Sequence, residues 1–150
     1  MHWNEKIAAI KERFSEEEFS VPHVDRKRIL KNIETIFIRR EKGYYDLNNH
    51  NRPFCNWWDS INTTNEYAIE FNRNPIDKIE GLIATNESFW IAGELPHGVM
   101  LYKAKKDAIL ELMSTGRTWT DTFYIIHLKY EYLISFKFDA SRVNIKTSLK

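Results

Sequence analysis

The stretch Thr122-Phe123-Tyr124-Ile125-Ile126-His127-Leu128-Lys129-Tyr130-Glu131-Tyr132-Leu133-Ile134-Ser135-Phe136-Lys137-Phe138 decides the fold class. Its first part, Thr122 to Leu128, is rich in β-branched and aromatic residues, which suit a pleated sheet. Lys129-Tyr130 reads as a tight connection. Beyond it Tyr132, Ile134, Phe136 and Phe138 fall at every second position. Side chains alternate across a strand, so this spacing puts all four on one face, and that face is expected to be core. Val143 to Lys146 reads as a short third strand beside the pair.

Working back toward the N-terminus, residues 104–114 read as a helix. Ala104, Ala108, Ile109, Leu112 and Met113 form its apolar stripe, and Gly116 suits the position that ends it. Ser88 to Ala92 and Val99 to Tyr102 read as a hairpin around Glu94-Leu95-Pro96-His97-Gly98. Asn74-Pro75-Ile76-Asp77 combines an N-cap, a first-turn proline and a first-turn acid, so a helix is predicted from there to about residue 85. Tyr67, Ile69 and Phe71 alternate as a strand. Phe54 to Ile61 reads as a single helical turn after a polar loop over residues 39–53. Asp25 caps a helix reaching about residue 37, with Val24 and Ile29 placed as a hydrophobic staple. Trp3, Ile7, Ile10 and Phe14 mark a first helix over about residues 4–17. Glu16, Glu17 and Glu18 oppose the helix dipole at its end, so it frays there. The sum is one α+β domain over residues 1–150, with an antiparallel sheet of four to six strands and helices packed on one face.

Five Trp, seven Tyr and nine Phe supply a large core, each buried ring removing about 150–250 Å² from water. The formal net charge is +1, which argues against nucleic acid as a partner. Charge is unevenly spread: residues 51–100 carry three Lys/Arg against seven Asp/Glu, and residues 101–150 carry nine against five. Cys55 is the only cysteine, so no internal disulfide forms, which suits a reducing compartment. The N-terminus has no apolar signal-peptide core, and no apolar run approaches the ~20 residues that span a bilayer. The expected setting is the cytoplasm, with no membrane partner. Oligomeric state is not legible.

Chemistry-bearing motifs are missing. The five glycines form neither a dinucleotide nor a phosphate loop. No two of His2, His23, His50, His97 and His127 stand at helical ligand spacing, so no metal site is expected. His50 and Cys55 lie five residues apart in a loop, but two ligands do not make a site. No catalytic residue and no cofactor are assigned. The unusual feature is Trp57-Trp58-Asp59. Adjacent tryptophans on a regular element point to different faces, so one is expected in the core and the other at least partly exposed; the alternative is that both pack under the preceding Asn-rich loop. Tryptophan is enriched where binding energy concentrates. The acidic segment Trp57, Trp58, Asp59, Glu66, Glu70 and Glu94 is therefore the candidate partner-binding surface.

Three phrases carry a family resemblance: Phe54-Cys55-Asn56-Trp57-Trp58-Asp59-Ser60-Ile61, Glu87-Ser88-Phe89-Trp90-Ile91-Ala92, and the aromatic hairpin from Phe123 to Ile134. Over about residues 54–136 the chain resembles small bacterial immunity proteins encoded beside secreted polymorphic toxins. Tyr132 stands where that pattern has Trp. The resemblance implies a non-catalytic protein that neutralises a bacterial toxin domain by occluding it. The alternative is an enzyme or small-ligand-binding protein whose site these motifs do not reveal.

Overall fold

The computed structural model describes residues 3–21, 26–38, 57–70, 80–95, 98–114, 122–138 and 142–149. In chain order the elements are α1 (Trp3–Arg13), β1 (Phe19–Ser20), α2 (Arg26–Phe37), a 3-10 turn (Trp58–Ser60), β2 (Asn65–Glu70), β3 (Ser88–Leu95), β4 (Gly98–Lys105), α3 (Lys106–Ser114), β5 (Thr122–His127), β6 (Tyr132–Phe138) and β7 (Arg142–Leu149). Residues 80–82 are also helical. All strands join one antiparallel sheet in the order β1-β4-β3-β5-β6-β7-β2. No helix among the described residues is long and apolar enough to cross a membrane.

The class is mixed α+β, as expected, but the sheet has seven strands rather than four to six. The addition is β1, where Phe19 pairs with Ala104 and Ser20 with Lys103. Two residues are too short to show any period. What places them is the end of α1, which stops at Arg13 rather than near residue 17. The Ser15 amide and hydroxyl both donate to the Glu18 carboxylate, at 3.2 and 3.0 Å, and the Phe19 amide donates to the Ser15 carbonyl at 2.9 Å. That turn redirects the chain from helix to sheet edge. The N-cap expected at Asp25, the helix start at Asn74 and the polar loop over residues 39–53 lie outside the described residues.

The second correction concerns the helices, which cover both faces of the sheet rather than one. On one face, α1 and α3 supply Ile7, Ile10, Ala108, Ile109, Leu112 and Met113, packed with Phe89, Ile91, Phe123, Ile125, Ile134 and Phe136. On the other, α2 supplies Leu30, Ile33 and Phe37, packed with Trp57, Trp58, Ala92, Leu101, Tyr124, Ile126 and Leu133. The reason lies in β5, which is buried from Thr122 through Ile126. A strand apolar on both faces has to be covered on both. Its run Phe123-Tyr124-Ile125-Ile126 is apolar on both faces, whereas β6 carries Ser135 and Lys137 after Leu133 on its α2 side.

The β5–β6 turn ties α2 to the sheet. Tyr130 takes a left-handed φ of 57° there, an uncommon conformation for a non-glycine residue. Its amide donates to the His127 carbonyl at 2.8 Å. Its phenol oxygen lies 3.4 Å from Asn32 Nδ2 on α2.

The α1/α3 face also encloses a charge. Lys6 is 3% exposed. Burial lowers its pKa to about 8, with Glu111 on α3 opposing the shift. Arg13 holds the same glutamate at 2.8 Å.

Two outcomes follow from this packing. Phe136 is fully buried, so Phe136→Ala is expected to cost about 3–5 kcal/mol in chemical denaturation, from lost burial plus the residual cavity. Lys6 has a folded pKa below its unfolded value of 10.5. Folding therefore disfavours its proton: the penalty is complete below pH 8 and is lifted as pH rises from about 8 to 10.5. Lys6→Met is expected to stabilise the protein by about 1–3 kcal/mol at neutral pH. Urea titrations of both proteins should show that advantage shrinking across the window.

Candidate functional site

The α2 face is closed over β4, β3 and β5 and opens over the last strands. Leu133 belongs to the core beneath α2, and alternation places Ser135 and Lys137 on the same face of β6. Register then brings Ser148, Lys146 and Asn144 of β7 opposite Leu133, Ser135 and Lys137. One strand further, Glu66 and Ala68 of β2 stand opposite Lys146 and Asn144. Leu133, Ser135 and Ser148 are buried, Lys146 and Asn144 half-buried, and Lys137, Glu66 and Ala68 exposed. Burial thus falls away toward the β2 edge and toward Lys137.

The segment from Trp57 to Thr64 borders this opening and is fastened to β7. Ser148 Oγ donates to the Asn62 carbonyl at 2.6 Å, and the Thr64 amide and hydroxyl reach the Thr147 carbonyl at 2.8 and 3.0 Å. Lys146 Nζ donates to the Trp58 carbonyl at 3.0 Å. The same ammonium lies 4.5 Å from the centre of the Trp58 ring, and Lys137 Nζ lies 5.9 Å from it. A cation over a tryptophan face contributes about 0.5–1 kcal/mol at exposed sites and about 2 when desolvated. Ser135 Oγ donates to the Lys146 carbonyl at 2.9 Å, which fixes the lysine backbone as well.

The expected partner-binding residues fare unevenly. Trp57 is fully buried, edge-on to Tyr124 at 5.1 Å, and Trp58 is 6% exposed. The expectation that one tryptophan reaches the surface is therefore corrected. The turn at Trp58–Ser60 lets both indoles enter the α2-side core. Asp59 and Glu66 are exposed. Glu70 ends β2 opposite Arg142, and Glu94 lies near the tip of the β3–β4 hairpin opposite Val99. Four strand spacings separate β3 from β2 in the sheet, roughly 19 Å at about 4.8 Å each. Glu94 does not share a patch with Glu66. The acidic middle of the chain is not a single acidic surface, because β2 pairs with the basic β7: Glu66 meets Lys146 and Glu70 meets Arg142. Lys137 and Lys146 were the residues missed. Their alternation with apolar neighbours was visible, but their relation to Trp58 depends on a register made across 88 residues.

A second polar cluster surrounds His127 at the end of β5. Its Nε2 lies 3.9 Å from Glu87 and its Nδ1 lies 3.8 Å from Glu131. The Lys129 amide donates to Nδ1 at 3.3 Å, and the ring stacks on Tyr132 at 5.0 Å. Burial, then the nearby Glu87, raises the Tyr132 pKa, so the phenol stays protonated at neutral pH. The two carboxylates flank opposite ring nitrogens and cannot share one ion with both. Among the described residues no group of three His, Cys, Asp or Glu could hold a metal. His2, His23, His50, His97 and Cys55 lie outside the described residues.

No protein-family model, curated protein or solved structure matches the chain.

Lys146→Met keeps the aliphatic stem but deletes the bond to the Trp58 carbonyl and the cation over its ring. It is expected to cost about 1–2 kcal/mol, whereas Lys137→Met, exposed and farther away, is expected to cost under about 0.5 kcal/mol. Urea denaturation of the two variants checks this ranking; equal costs would mean that the Lys146 contacts do not hold the segment.

Proposed function

We propose that the chain is a non-catalytic protein-binding module of the immunity type, which neutralises a bacterial toxin domain by covering it. The open half of the α2 face is its docking surface. One observation carries this reading: charged side chains of both signs stand on rigid, hydrogen-bonded strands beside a nearly buried tryptophan. Strands hold such a pattern without the ordering cost that a loop incurs on binding. An inhibitor needs a preformed complementary surface and no chemistry of its own.

The sign of the charge changes the expected mode of recognition. A uniformly acidic surface would mainly accelerate encounter with a basic toxin. The juxtaposition of Glu66 with Lys146 and Lys137 supports specificity instead, because a wrong partner would bring like charges together.

The test is co-expression in a bacterium with the toxin encoded next to this gene. The wild-type chain is expected to restore growth and to co-purify with the toxin. Lys137→Glu, an exposed change in the open face, is expected to weaken rescue while circular dichroism and the denaturation midpoint stay near wild type. Failure of the wild-type chain to rescue or to co-purify overturns the reading and favours an enzyme or small-ligand protein.

A further inference from the structure

We propose that the outer edge of β2 receives an extended segment of the protein partner as an added antiparallel strand, and that this segment alternates basic with apolar residues. The inference rests on the binding-module reading above and specifies what the partner presents.

The open face is small for a docking surface. Three strands, each about seven residues long, offer a planar face of about 14 by 23 Å, roughly 330 Å². A stable complex needs about 800 Å² from each partner. The open face therefore needs an extension, and the surface continuous with it is the β2 edge.

That edge is long and open to pairing among the described residues. The sheet has two ends, β1 and β2. β1 is two residues long, a length that leaves little to pair with, whereas β2 runs for six, Asn65-Glu66-Tyr67-Ala68-Ile69-Glu70. Proteins guard long edges with charged side chains, lysine above all, with proline or with bulges; the charges of β2 are the acids Glu66 and Glu70, which repel an acidic strand and admit a basic one. β2 has neither lysine nor proline, and its ladder to β7 runs without a bulge from Asn65 to Glu70. Asn65, Glu66 and Ala68 are exposed, and the alanine methyl shields little backbone. Among the described residues no strand pairs with the outer side of β2.

The side chains of β2 select the occupant. β2 already accepts one strand, and its register records what suits it. Tyr67 and Ile69 meet Ile145 and Val143, while Glu66 and Glu70 meet Lys146 and Arg142. A strand added on the other side meets the same β2 residues. Glu66 in particular has charge to offer. Its cross-strand lysine is drawn to the carbonyl and ring of Trp58, and no ion pair engages Glu66 among the described residues. A second copy of the chain is a poorer occupant. Antiparallel self-pairing centred on Ala68 sets Glu66 against Glu70 of the other copy, and like charges directly opposite destabilise a sheet.

The probe is a synthetic peptide copying residues 142–149, Arg-Val-Asn-Ile-Lys-Thr-Ser-Leu, added to the full chain. Fluorescence anisotropy is expected to show saturable binding, and hydrogen exchange to show new protection confined to residues 65–70. A peptide with glutamate at both basic positions is expected to bind about tenfold more weakly or worse. Glu66→Lys with Glu70→Lys in the chain is expected to reverse that preference. Two peptides N-methylated at alternate residues, in the two possible phases, separate a backbone ladder from simple charge attraction: one is expected to bind and the other not. Absence of binding, equal binding of both charge patterns, protection away from β2, or a dimer of the free chain in sedimentation would each overturn the proposal. Growth rescue that survives Glu66→Lys with Glu70→Lys, when peptide binding is lost, overturns the edge alone. Peptide binding that holds while the wild-type chain fails to rescue overturns the toxin reading alone.

Discussion

The double burial of β5 is the constraint on which the rest of the architecture depends. Phe123 and Ile125 face α1 and α3, while Tyr124 and Ile126 face α2. Each face of this strand carries apolar surface, and each side chain of this size left in water would cost about 1.5–3 kcal/mol. Cover on both sides is therefore required. α3 follows β4 directly and packs with α1 on one side. The other side draws in α2 and the Trp57–Ile61 segment, with Trp57 set against Tyr124. The adjacent tryptophans are thus a consequence of β5.

What the sequence revealed and what it hid divide along range. The helix over residues 26–37, both hairpins and the alternation in β6 were legible, because each rests on periods of a few residues. β1 was hidden because two residues have no period. The second covered face was misjudged, although the run Phe123-Tyr124-Ile125-Ile126 held the signal: four apolar residues in succession mean burial on both faces, while in β6, buried from Leu133 through Phe136, Ser135 interrupts the run. The open face was hardly legible. Asp59 and Glu66 were identified as exposed candidates, but Lys137 and Lys146 enter the site only through a register that joins β2 to a strand some 80 residues later. Local pattern carries no information about which distant strand lies alongside.

The same long-range pairing explains why regional charge misleads. The middle of the sequence is acidic and its end is basic, which suggests two fields of opposite sign. Folding threads the two together as β2 and β7. Opposite charges on neighbouring strands stabilise the pair and also cancel its long-range field. What remains at the surface is a short-range pattern of both signs, felt only within a few ångströms of the strands.

Lys146 decides how complete that cancellation is. Cross-strand geometry offers it Glu66, and the turn at Trp58 offers it a carbonyl at 3.0 Å and a ring face at 4.5 Å. The second arrangement withdraws the cation from water against an apolar surface, where its interactions are screened less. It also fastens the Trp57–Thr64 segment onto β7, beside the hydroxyl bonds of Ser148 and Thr64. Among the described residues no ion pair engages Glu66 on the exposed edge strand. One lysine thus couples the closure of the α2-side core to the charge that β2 presents outward. Loosening Trp58 would release Lys146 from that carbonyl and ring and let it reach across the strand pair toward Glu66.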